Sequence, residues 1–319
     1  MKKLLLIITL FAVLVFPLLA QKGYKEETFF SMDTVVTLKV KGDKESLENA
    51  KKIIEKAHKD YSAYDHNSLV SALNSSGELS TENIEIFQKA KEYFKATDGC
   101  FDPTVKPLTD LWNITGETPK VPDEYAIKNA LEKVDGEKLE IKDKVYLKNG
   151  AQMDLGGIAK GYATDKTVKM LKENNVKEFV LNLGGNIYAF SNEKPLTIGV
   201  QEPFSQRGEL LFTLKVSDGA VVSSGTYERF FEENGNCYHH IFDTETGYPS
   251  QSGISQVTIV GKDCTMCDAF STAILVGGEE LALKLKEEYE FEYIILSGKN
   301  LVTSNGIEIF DLKDGYMLK

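Results

Sequence analysis

The chain has 319 residues, enough for one large domain or two small ones, and its 42% hydrophobic content is ordinary for a protein with a sizeable core. The formal net charge is -11, and no long Lys/Arg block follows the N-terminus, which argues against nucleic-acid binding. If so acidic a protein binds a phosphate-bearing ligand, a helix N-terminus or a metal ion must offset the repulsion between like charges.

The first twenty residues are typical of an export signal. Two lysines precede an apolar run over 4–20, which is marginal for a spanning helix because such a helix needs about 20 apolar residues. Gln21 stands where a lipoprotein signal would carry its lipidated cysteine. We therefore predict an exported protein with a signal peptide cleaved after Ala20. An uncleaved segment that attaches the protein to the cell membrane is the alternative.

Apolar periodicity predicts mixed helices and strands in the first part of the chain. The stretch "FFSMDTVVTLKV" alternates as one strand, and "DKESLENAKKIIEKAHKDYSAYD" repeats apolar residues at helical spacing. A polar loop holding Asn74 and Gly77 follows, and then a helix over 81–97. The stretch "GCFDPTVKPLTDLWN" is predicted as a loop built around Pro103 and Pro107.

The middle of the chain predicts further alternation. We expect a helix over 124–134 and two strands within 137–154, joined by a turn at Asp143. A glycine turn then leads into a helix over about 158–174. The stretch "EFVLNLGGNIYAF" predicts a strand with glycines in its middle, and strands alternate with turns through position 260.

The last part of the chain predicts two helices and several short strands. "MCDAFSTAILVGG" is expected to be a helix that ends at Gly277-Gly278, and a second helix covers 279–289. "YIILSGKNLVTSNGIEIF" is typical of short strands with a Ser-Asn-Gly turn. Since no internal repeat or low-complexity linker is found, one α+β domain over 21–319, after the signal segment 1–20, is the simplest interpretation.

The chain has four cysteines, two of which form a CxxC pair at Cys264 and Cys267. A zinc site would need two more ligands, and no second pair exists. A disulfide, which an exported location permits, is another alternative. We favour the simplest interpretation, two small buried residues.

Asp268 and Thr272 are the first candidates for chemistry. They lie four apart on a predicted helix, so their side chains share one face. A carboxylate and a hydroxyl suit Mg²⁺, which prefers oxygen ligands and shares them with substrate phosphates. On spacing alone, a helix cap and a backbone hydrogen bond explain the two residues better.

A second candidate is the glycine turn in "AQMDLGGIAKGYAT". Gly156 and Gly157 follow a strand and precede a helix, a place that presents free N–H groups to an anion. The turn fits neither the Walker pattern nor GxGxxG, so a plain tight turn is favoured on this pattern alone. Lys160 either contacts a phosphate or is simply solvated.

The third candidate is "CYHHIFDTETGYP", which holds His239 and His240. Histidine is the usual proton carrier near neutral pH, and Asp243 is close enough in sequence to orient one ring. Exposed histidines at a strand end are an equally good interpretation. In "SSGTYERFF", Ser224 lacks the GxSxG context of a serine hydrolase, and Tyr227 either stacks on a ring system or belongs to the core.

Taken in order, these segments resemble the flavin transferase (ApbE) family. The resemblance runs from about 31 to 278 and covers most of the chain after the signal. It rests on eight ordered stretches: "SMDTVVTL", "SAYDHNSLVSALN", "DGCFDPTVKPLTDLW", "MDLGGIAKGYATD", "LNLGGNIYAF", "SSGTYERFF", "HIFDTETGYP" and "CDAFSTAILVGG".

The resemblance implies a fold and an activity. The fold would be a single ApbE-like, T-fold-like α+β domain with mixed or antiparallel sheets and flanking helices. The activity would be Mg²⁺-dependent transfer of FMN from FAD, the substrate, to a Thr or Ser hydroxyl of a partner protein, with release of AMP. Acceptors in the family carry a Ser/Thr-Gly-Ala-Ser/Thr stretch and include subunits of membrane redox complexes. An FAD pyrophosphatase and a flavin-binding protein without turnover are the alternatives.

The resemblance also implies roles for individual residues. His240 would be the catalytic group. Asp154 would meet the adenosine part of FAD, Lys160 would lie close to the ligand, and Phe242 would contact it through its backbone. The remaining FAD-site residues would be Met32, Tyr64, Cys100, Phe101 and Asp102. The metal would be bound by Asp268 and Thr272, with the Gly157 carbonyl and Ser271 as further contributors.

The chain departs from the family pattern at three places. Asp33 replaces the glycine of the usual Met-Gly-Thr, which adds a carboxylate near the expected FAD site. Cys100 stands where alanine is common. The CxxC beside Asp268 is not required by the pattern, and one hypothesis is that its oxidation disturbs the metal helix. A titration of activity against reductant tests this, and an unchanged activity would remove it.

Overall fold

The computed structural model describes residues 23–206 and 208–319. The predicted signal segment lies outside the described residues. Within those residues, no helix combines the length and the apolar character that membrane crossing requires.

Sixteen strands and seven helices make up the described part of the chain. The strands are β1 (Tyr24–Ser31), β2 (Thr34–Lys41), β3 (Glu78–Leu79), β4 (Leu139–Ile141), β5 (Val145–Leu147), β6 (Glu178–Leu183), β7 (Asn186–Ser191), β8 (Leu196–Gln201), β9 (Leu210–Val216), β10 (Asp218–Gly225), β11 (Phe230–Glu233), β12 (Asn236–His239), β13 (Gln256–Gly261), β14 (Phe291–Ser297), β15 (Asn300–Thr303) and β16 (Met317–Leu318). The helices are α1 (Lys44–Tyr61), α2 (Leu69–Ser76), α3 (Glu85–Ala96), α4 (Lys106–Trp112), α5 (Glu124–Leu131), α6 (Ala159–Glu173) and α7 (Cys264–Lys286).

The main element is a nine-stranded sheet with the order β1-β2-β6-β7-β10-β13-β14-β15-β16. Its neighbours are antiparallel except for β15 and β16, which run parallel. Three smaller antiparallel sheets pair β11 with β12, β8 with β9, and β5 with both β3 and β4. The predicted α+β class with flanking helices and mixed or antiparallel sheets is confirmed.

The large sheet is covered on both faces. On one face, α7 packs across β10 and β13, and α6 packs between α1 and α7. On the other face, the β8–β9 hairpin covers side chains such as Val180, Val221 and Ile294. Their sequence neighbours Leu181 and Val222 point to the helical face, as the two-residue period of a strand requires. Burial on both faces explains why every residue of β6 is buried, including Glu178 and Asn182.

Helices α6 and α7 cap one another. The first turn of α6 has no side-chain cap of its own, and the N–H of Gly161 donates to Asp268 Oδ2 of α7 at 2.9 Å. In return, Asp165 of α6 accepts hydrogen bonds from the first two N–H groups of α7, those of Cys264 at 2.9 Å and Thr265 at 2.8 Å. Carboxylates at helix N-termini satisfy free N–H groups and complement the helix dipole. The two helices therefore lock each other's starting points.

Two predicted strands are hairpins instead. "FFSMDTVVTLKV" divides into β1 and β2, with φ of 53° at Met32 and 56° at Asp33. "EFVLNLGGNIYAF" divides into β6 and β7, with φ of 61° at Gly184 and 96° at Gly185. Positive φ at both central residues is what a two-residue hairpin turn of type I′ requires. Apolar periodicity did not reveal these turns; in the second hairpin, β6 and β7 are buried almost throughout, so neither strand alternates.

Two predicted loops contain helices. Asn74 lies within α2, which begins after the Ser68 cap and ends at Gly77, where φ is 76°. Its apolar face is only two buried residues, too little for a periodic signal. The proline-rich stretch contains α4, with Pro107 in the first turn, where the missing N–H of proline costs nothing. The other predicted helices agree in place, and the predicted boundary in α7 is a break at Gly278, with φ of 74°.

We predict that Gly161→Ala destabilises the fold by about 2–3 kcal/mol, a typical effect of overpacking a core. A Cβ there would lie 2.3 Å from the carbonyl oxygen of Cys264 and 2.7 Å from Cα of Thr265, and backbone cannot yield as a flexible side chain can. Urea unfolding followed by circular dichroism measures the loss. Lys169→Ala on the exposed face of the same helix is the control and should change stability by less than about 0.5 kcal/mol. Equal stability of the two variants would contradict the close contact.

Candidate active site

Asp268 is the buried centre of the candidate site. Its side chain is 3% exposed, with Oδ2 bonded to Gly161 and Oδ1 3.5 Å from Lys160 Nζ. The same ammonium group donates to the carbonyl of Gly156 at 3.1 Å. A buried carboxylate needs compensating charge or hydrogen bonds, and here it receives both. Lys160 thus occupies a position beside Asp268 where a cation is stabilised.

Three hydroxyls form a cluster beside the backbone of Asp268. Ser271 Oγ donates to the carbonyl of Asp268 at 2.9 Å and lies 2.8 Å from Ser224 Oγ at the end of β10. Thr272 Oγ1 makes only long contacts, 3.4 Å to the Asp268 carbonyl and 3.4 Å to Ser224 Oγ. The hydroxyl of Ser271 is fully buried and committed to these partners, whereas that of Thr272 is more available. Ser224 was not among the predicted site residues.

The donor set suits a hard divalent cation. Asp268 Oδ1 and Thr272 Oγ1 are oxygen donors, and Gly157 lies against them, since a Cβ on this glycine would be 3.7 Å from Thr272 Oγ1. Oxygen ligands with few protein carboxylates are typical of Mg²⁺, which keeps waters and substrate phosphates in its shell. Within the described residues, no group of three or more His, Cys, Asp or Glu side chains could hold a metal. A site here would therefore depend on mixed oxygen donors.

Asp154 and Tyr64 form a second group. The Tyr64 hydroxyl lies 3.4 Å from Asp154 Oδ2, and Asp154 Oδ1 accepts the N–H of Gly156 at 2.8 Å. Burial raises the pKa of Asp154, although the Gly156 N–H and the charges of Lys106 and Arg229 oppose this. Lys106 Nζ also lies 4.6 Å from the centre of the exposed Tyr64 ring. The carbonyl of Gly156 connects this group to Lys160, and Lys160 connects it to Asp268.

The segment 100–102 gives three different environments. Phe101 is buried, and its ring edge would lie 3.3 Å from a Cβ on Gly157, so it supports the glycine turn from behind. Asp102 is buried, and its oxygens accept the N–H and hydroxyl of Thr104 and the N–H of Gly136. Cys100 is half-buried and free. The Asp102 carboxylate thus already has hydrogen-bond partners within the protein, Thr104 of the same loop and Gly136 of a later segment.

The hairpin turn of β1 and β2 borders the site. The N–H of Met32 donates to His58 Nδ1 of α1 at 3.1 Å, and the carbonyl of Asp33 lies 3.5 Å from Arg229 Nη2. The turn packs against the neighbouring hairpin, where a Cβ on Gly184 would lie 2.2 Å from Thr34 Oγ1. These contacts hold Met32 at the border of the site. Asp33 has a left-handed φ, which the glycine usual at this position in the family adopts without strain.

His240 follows β12 and is oriented by one carbonyl. The backbone N–H of His240 donates to the carbonyl oxygen of Arg229 at 3.1 Å, and the ring Nδ1 of His240 lies 3.2 Å from the same oxygen. A carbonyl only accepts, so this contact places the proton on Nδ1 and leaves Nε2 as the acceptor. Burial, followed by the charges of Arg229 and His239, lowers the pKa of His240 to about 3. The ring is therefore neutral near pH 7.

Phe242 lies two residues beyond His240 and is buried. Its ring packs at 6.1 Å from that of Trp112, in a cluster separate from the main core. Its backbone faces Pro249 in an isolated antiparallel bridge, whose two hydrogen bonds are made by Asp243 and Ser250. These bonds leave the N–H and C=O of Phe242 for other partners.

Two charged residues in "SSGTYERFF" lie in the site but were missed from the sequence. Glu228 is half-buried, and burial raises its pKa to about 7, with the charges of Lys160 and Arg229 opposing and that of Asp268 adding. Arg229 exposes its guanidinium, and its charge also acts on Tyr64, Asp154 and His240. The only sequence signal for them is their charge within an aromatic stretch.

Cys264 and Cys267 lie at the base of α7, and both thiols are free and fully buried. Burial raises the pKa of each thiol well above its usual value. This is the environment of small buried residues, the alternative that the sequence favoured. It also makes oxidation of the folded protein slow, because the thiolate is the reactive form.

Comparison with known proteins identifies the family. The sequence model of the ApbE family matches residues 32–295. The chain belongs to the ApbE family. An FAD:protein FMN transferase of Klebsiella pneumoniae is 30% identical to it over an alignment of 243 positions, and the match covers 74% of this chain and 76% of that protein. The resemblance inferred from the ordered motifs is therefore confirmed, and the ApbE relatives are enzymes.

Solved ApbE structures share the fold. The crystal structure of the ApbE protein of Thermotoga maritima has a TM-score of 0.79 and 30% identity, and the match covers 90% of this chain and 96% of that one. The apo form of the flavinyl transferase ApbE of Pseudomonas stutzeri has a TM-score of 0.73 and 25% identity, and the match covers 88% of this chain and 94% of that one. The architecture described above is thus the ApbE architecture.

We predict that the His240 ring stays neutral at pH 6, where an unperturbed histidine with a pKa of 6.5 would be mostly protonated. Ring ¹⁵N shifts of labelled histidine, assigned with His240→Gln, measure this. Because the folded pKa lies below the unfolded one, His240 contributes stability above about pH 6.5, and that contribution is lost as pH falls toward its folded pKa. A protonation midpoint above pH 6 for this ring would rule out the described environment.

Proposed function

We propose that this chain is a FAD:protein FMN transferase that uses Mg²⁺ to move FMN from FAD to a Thr or Ser hydroxyl of an acceptor protein, releasing AMP. Family membership and the names of the relatives support flavin transfer from FAD. The observation that carries the finer proposal is the unbroken series of contacts from Tyr64 through Asp154, Gly156 and Lys160 to Asp268.

This series fits the two ends of a dinucleotide. An aromatic hydroxyl and a carboxylate, Tyr64 and Asp154, suit the ring and the polar edge of an adenosine. At the other end, Lys160 and the start of α6 provide positive charge for a pyrophosphate. This local charge matters because the whole chain carries a net charge of -11.

Asp268, Thr272 and the carbonyl of Gly157 would hold Mg²⁺, with Ser271 and Ser224 behind them. A bound Mg²⁺ supplies charge neutralisation of the pyrophosphate and of the departing AMP phosphate. Lys160 already neutralises Asp268 in part, so we expect its ammonium to turn toward the phosphates when the carboxylate has another cation.

His240 would take the proton of the acceptor hydroxyl. The hydroxyl oxygen attacks the phosphorus on the FMN side, the bond to the AMP phosphate oxygen breaks, and the proton passes to Nε2. Burial first, and then the charges of Arg229, His239 and Lys160, hold the pKa of His240 low. The negative pyrophosphate would offset those charges, so His240 becomes a stronger base when FAD is bound.

The acceptor and the location extend the proposal. By the family resemblance, the acceptor would present a Ser/Thr-Gly-Ala-Ser/Thr stretch, as subunits of membrane redox complexes do. Residues 1–20 have the composition of an export signal, which supports an extracytoplasmic enzyme, released or attached to the membrane.

The experiment incubates the full chain with FAD and Mg²⁺, with and without an acceptor domain that bears this stretch. Chromatography follows AMP, and mass spectrometry follows the acceptor. The proposal expects AMP only with acceptor, together with an acceptor mass gain equal to FMN. AMP and free FMN without acceptor would indicate the pyrophosphatase instead. Retention of intact FAD would indicate a binding protein.

We predict that Asp268→Asn and His240→Ala each lower the rate of transfer by at least about 100-fold, within the range of metal and general-base effects. Asp268→Asn should also abolish the dependence of the rate on Mg²⁺ concentration, whereas His240→Ala should keep it. The exposed Asp314→Asn is the matched control for loss of one carboxylate. Full turnover by His240→Ala would show that another group takes the proton.

A further inference from the structure

Arg229 has an unusual place in the molecule. It follows β10 and precedes β11, at the mouth of the site, and its side chain is exposed. Among the residues that the structure describes, its side chain makes one hydrogen bond, a long one of 3.5 Å from Nη2 to the carbonyl of Asp33. Among residues 23–206 and 208–319, no carboxylate lies within salt-bridge distance of its guanidinium. The Arg229 guanidinium is therefore a cation without a carboxylate partner among the described residues, beside the site proposed to bind FAD.

Its surroundings place it between both ends of the site. Burial raises the pKa of Tyr64 and of Asp154 on the adenosine side, and the Arg229 charge opposes this effect. Burial lowers the pKa of His240 on the reactive side, and the Arg229 charge adds to this effect. Lys160, by contrast, is already engaged with Asp268 and the carbonyl of Gly156. Of the two cations, Arg229 is thus the one whose hydrogen-bond donors are available.

The residue type is informative in this chain. Of its 37 basic residues, 35 are lysines and two are arginines, Arg207 and Arg229. A general need for positive charge is therefore met by lysine almost everywhere. Arginine differs because its planar guanidinium donates two parallel hydrogen bonds to a phosphate or carboxylate. An arginine at this one place indicates recognition of a planar pair of oxygens.

We propose that the guanidinium of Arg229 leaves the Asp33 carbonyl and binds the pyrophosphate oxygens of the dinucleotide substrate. This assignment rests on the proposed function, which supplies a pyrophosphate-bearing substrate. The main chain of Arg229 already orients His240, because the Arg229 carbonyl accepts hydrogen bonds from both the backbone N–H and the ring Nδ1–H of His240. One residue would then bind the phosphates through its side chain and orient the proton acceptor through its backbone.

The test compares ligands with and without phosphate on the full chain. Wild type, Arg229→Ala and Arg229→Lys are titrated with FAD, ADP, riboflavin and adenosine in the presence of Mg²⁺, by calorimetry or flavin fluorescence. We expect Arg229→Ala to weaken the affinities for FAD and ADP by about 10- to 100-fold, the range of a charge-assisted bidentate contact. The affinities for riboflavin and adenosine should stay within about twofold of wild type. Arg229→Lys should recover only part of the loss.

The controls separate the possible failures. Lys169→Ala removes one positive charge from the exposed face of α6 and should leave all four affinities unchanged. If wild type binds FAD and Arg229→Ala binds every ligand equally well, the assignment is wrong. It is also wrong if the affinities for riboflavin and adenosine fall as much as that for FAD, because the substitution has then changed the shape of the site and not removed a phosphate contact. If wild type does not bind FAD, the proposed function fails, and the ADP titrations alone decide the role of Arg229.

Discussion

The site depends on one buried carboxylate that belongs to two structures at once. Asp268 sits inside α7, yet its Oδ2 caps the first turn of α6, which has no cap from its own residues. Asp165 returns the contact by capping α7. The helices can exchange these caps because Gly161 lets the backbones meet beside Cys264. The separation between the glycine turn and the hydroxyls of α7 is fixed by these contacts.

This arrangement explains how an acidic protein can prepare a site for an anion. The one carboxylate at the centre, that of Asp268, is partly offset by Lys160 and by the N-terminal end of α6. At the mouth, Arg229 faces outward, and Asp154 and Glu228 have raised pKa values because of burial. These features reduce the repulsion that a phosphate would meet at this site in a chain of net charge -11.

Much of the fold could be predicted from the sequence, because α1 and α3 are strongly amphipathic and the ordered motifs point to one family. What could not be predicted has physical reasons. The Met32–Asp33 turn interrupts no alternation, and α2 has too few buried residues for a period. The site residues that the motifs indicated stay predictions, and the structure joins Tyr64, Asp154, Lys160 and Asp268 in one series of contacts. Glu228 and Arg229 were not indicated by the motifs, because their surroundings come from groups that are distant in sequence.

The burial of Cys264 and Cys267 has a consequence for how the motion of α7 can be observed. Both thiols lie beneath the first turn of the helix that carries Asp268, and a Cβ on Gly261 of β13 would lie 2.8 Å from the sulfur of Cys267. A thiol reagent can react there only when that turn lifts away from the sheet. The rate of their alkylation therefore reports the local opening of the helix, a natural probe already built into the chain.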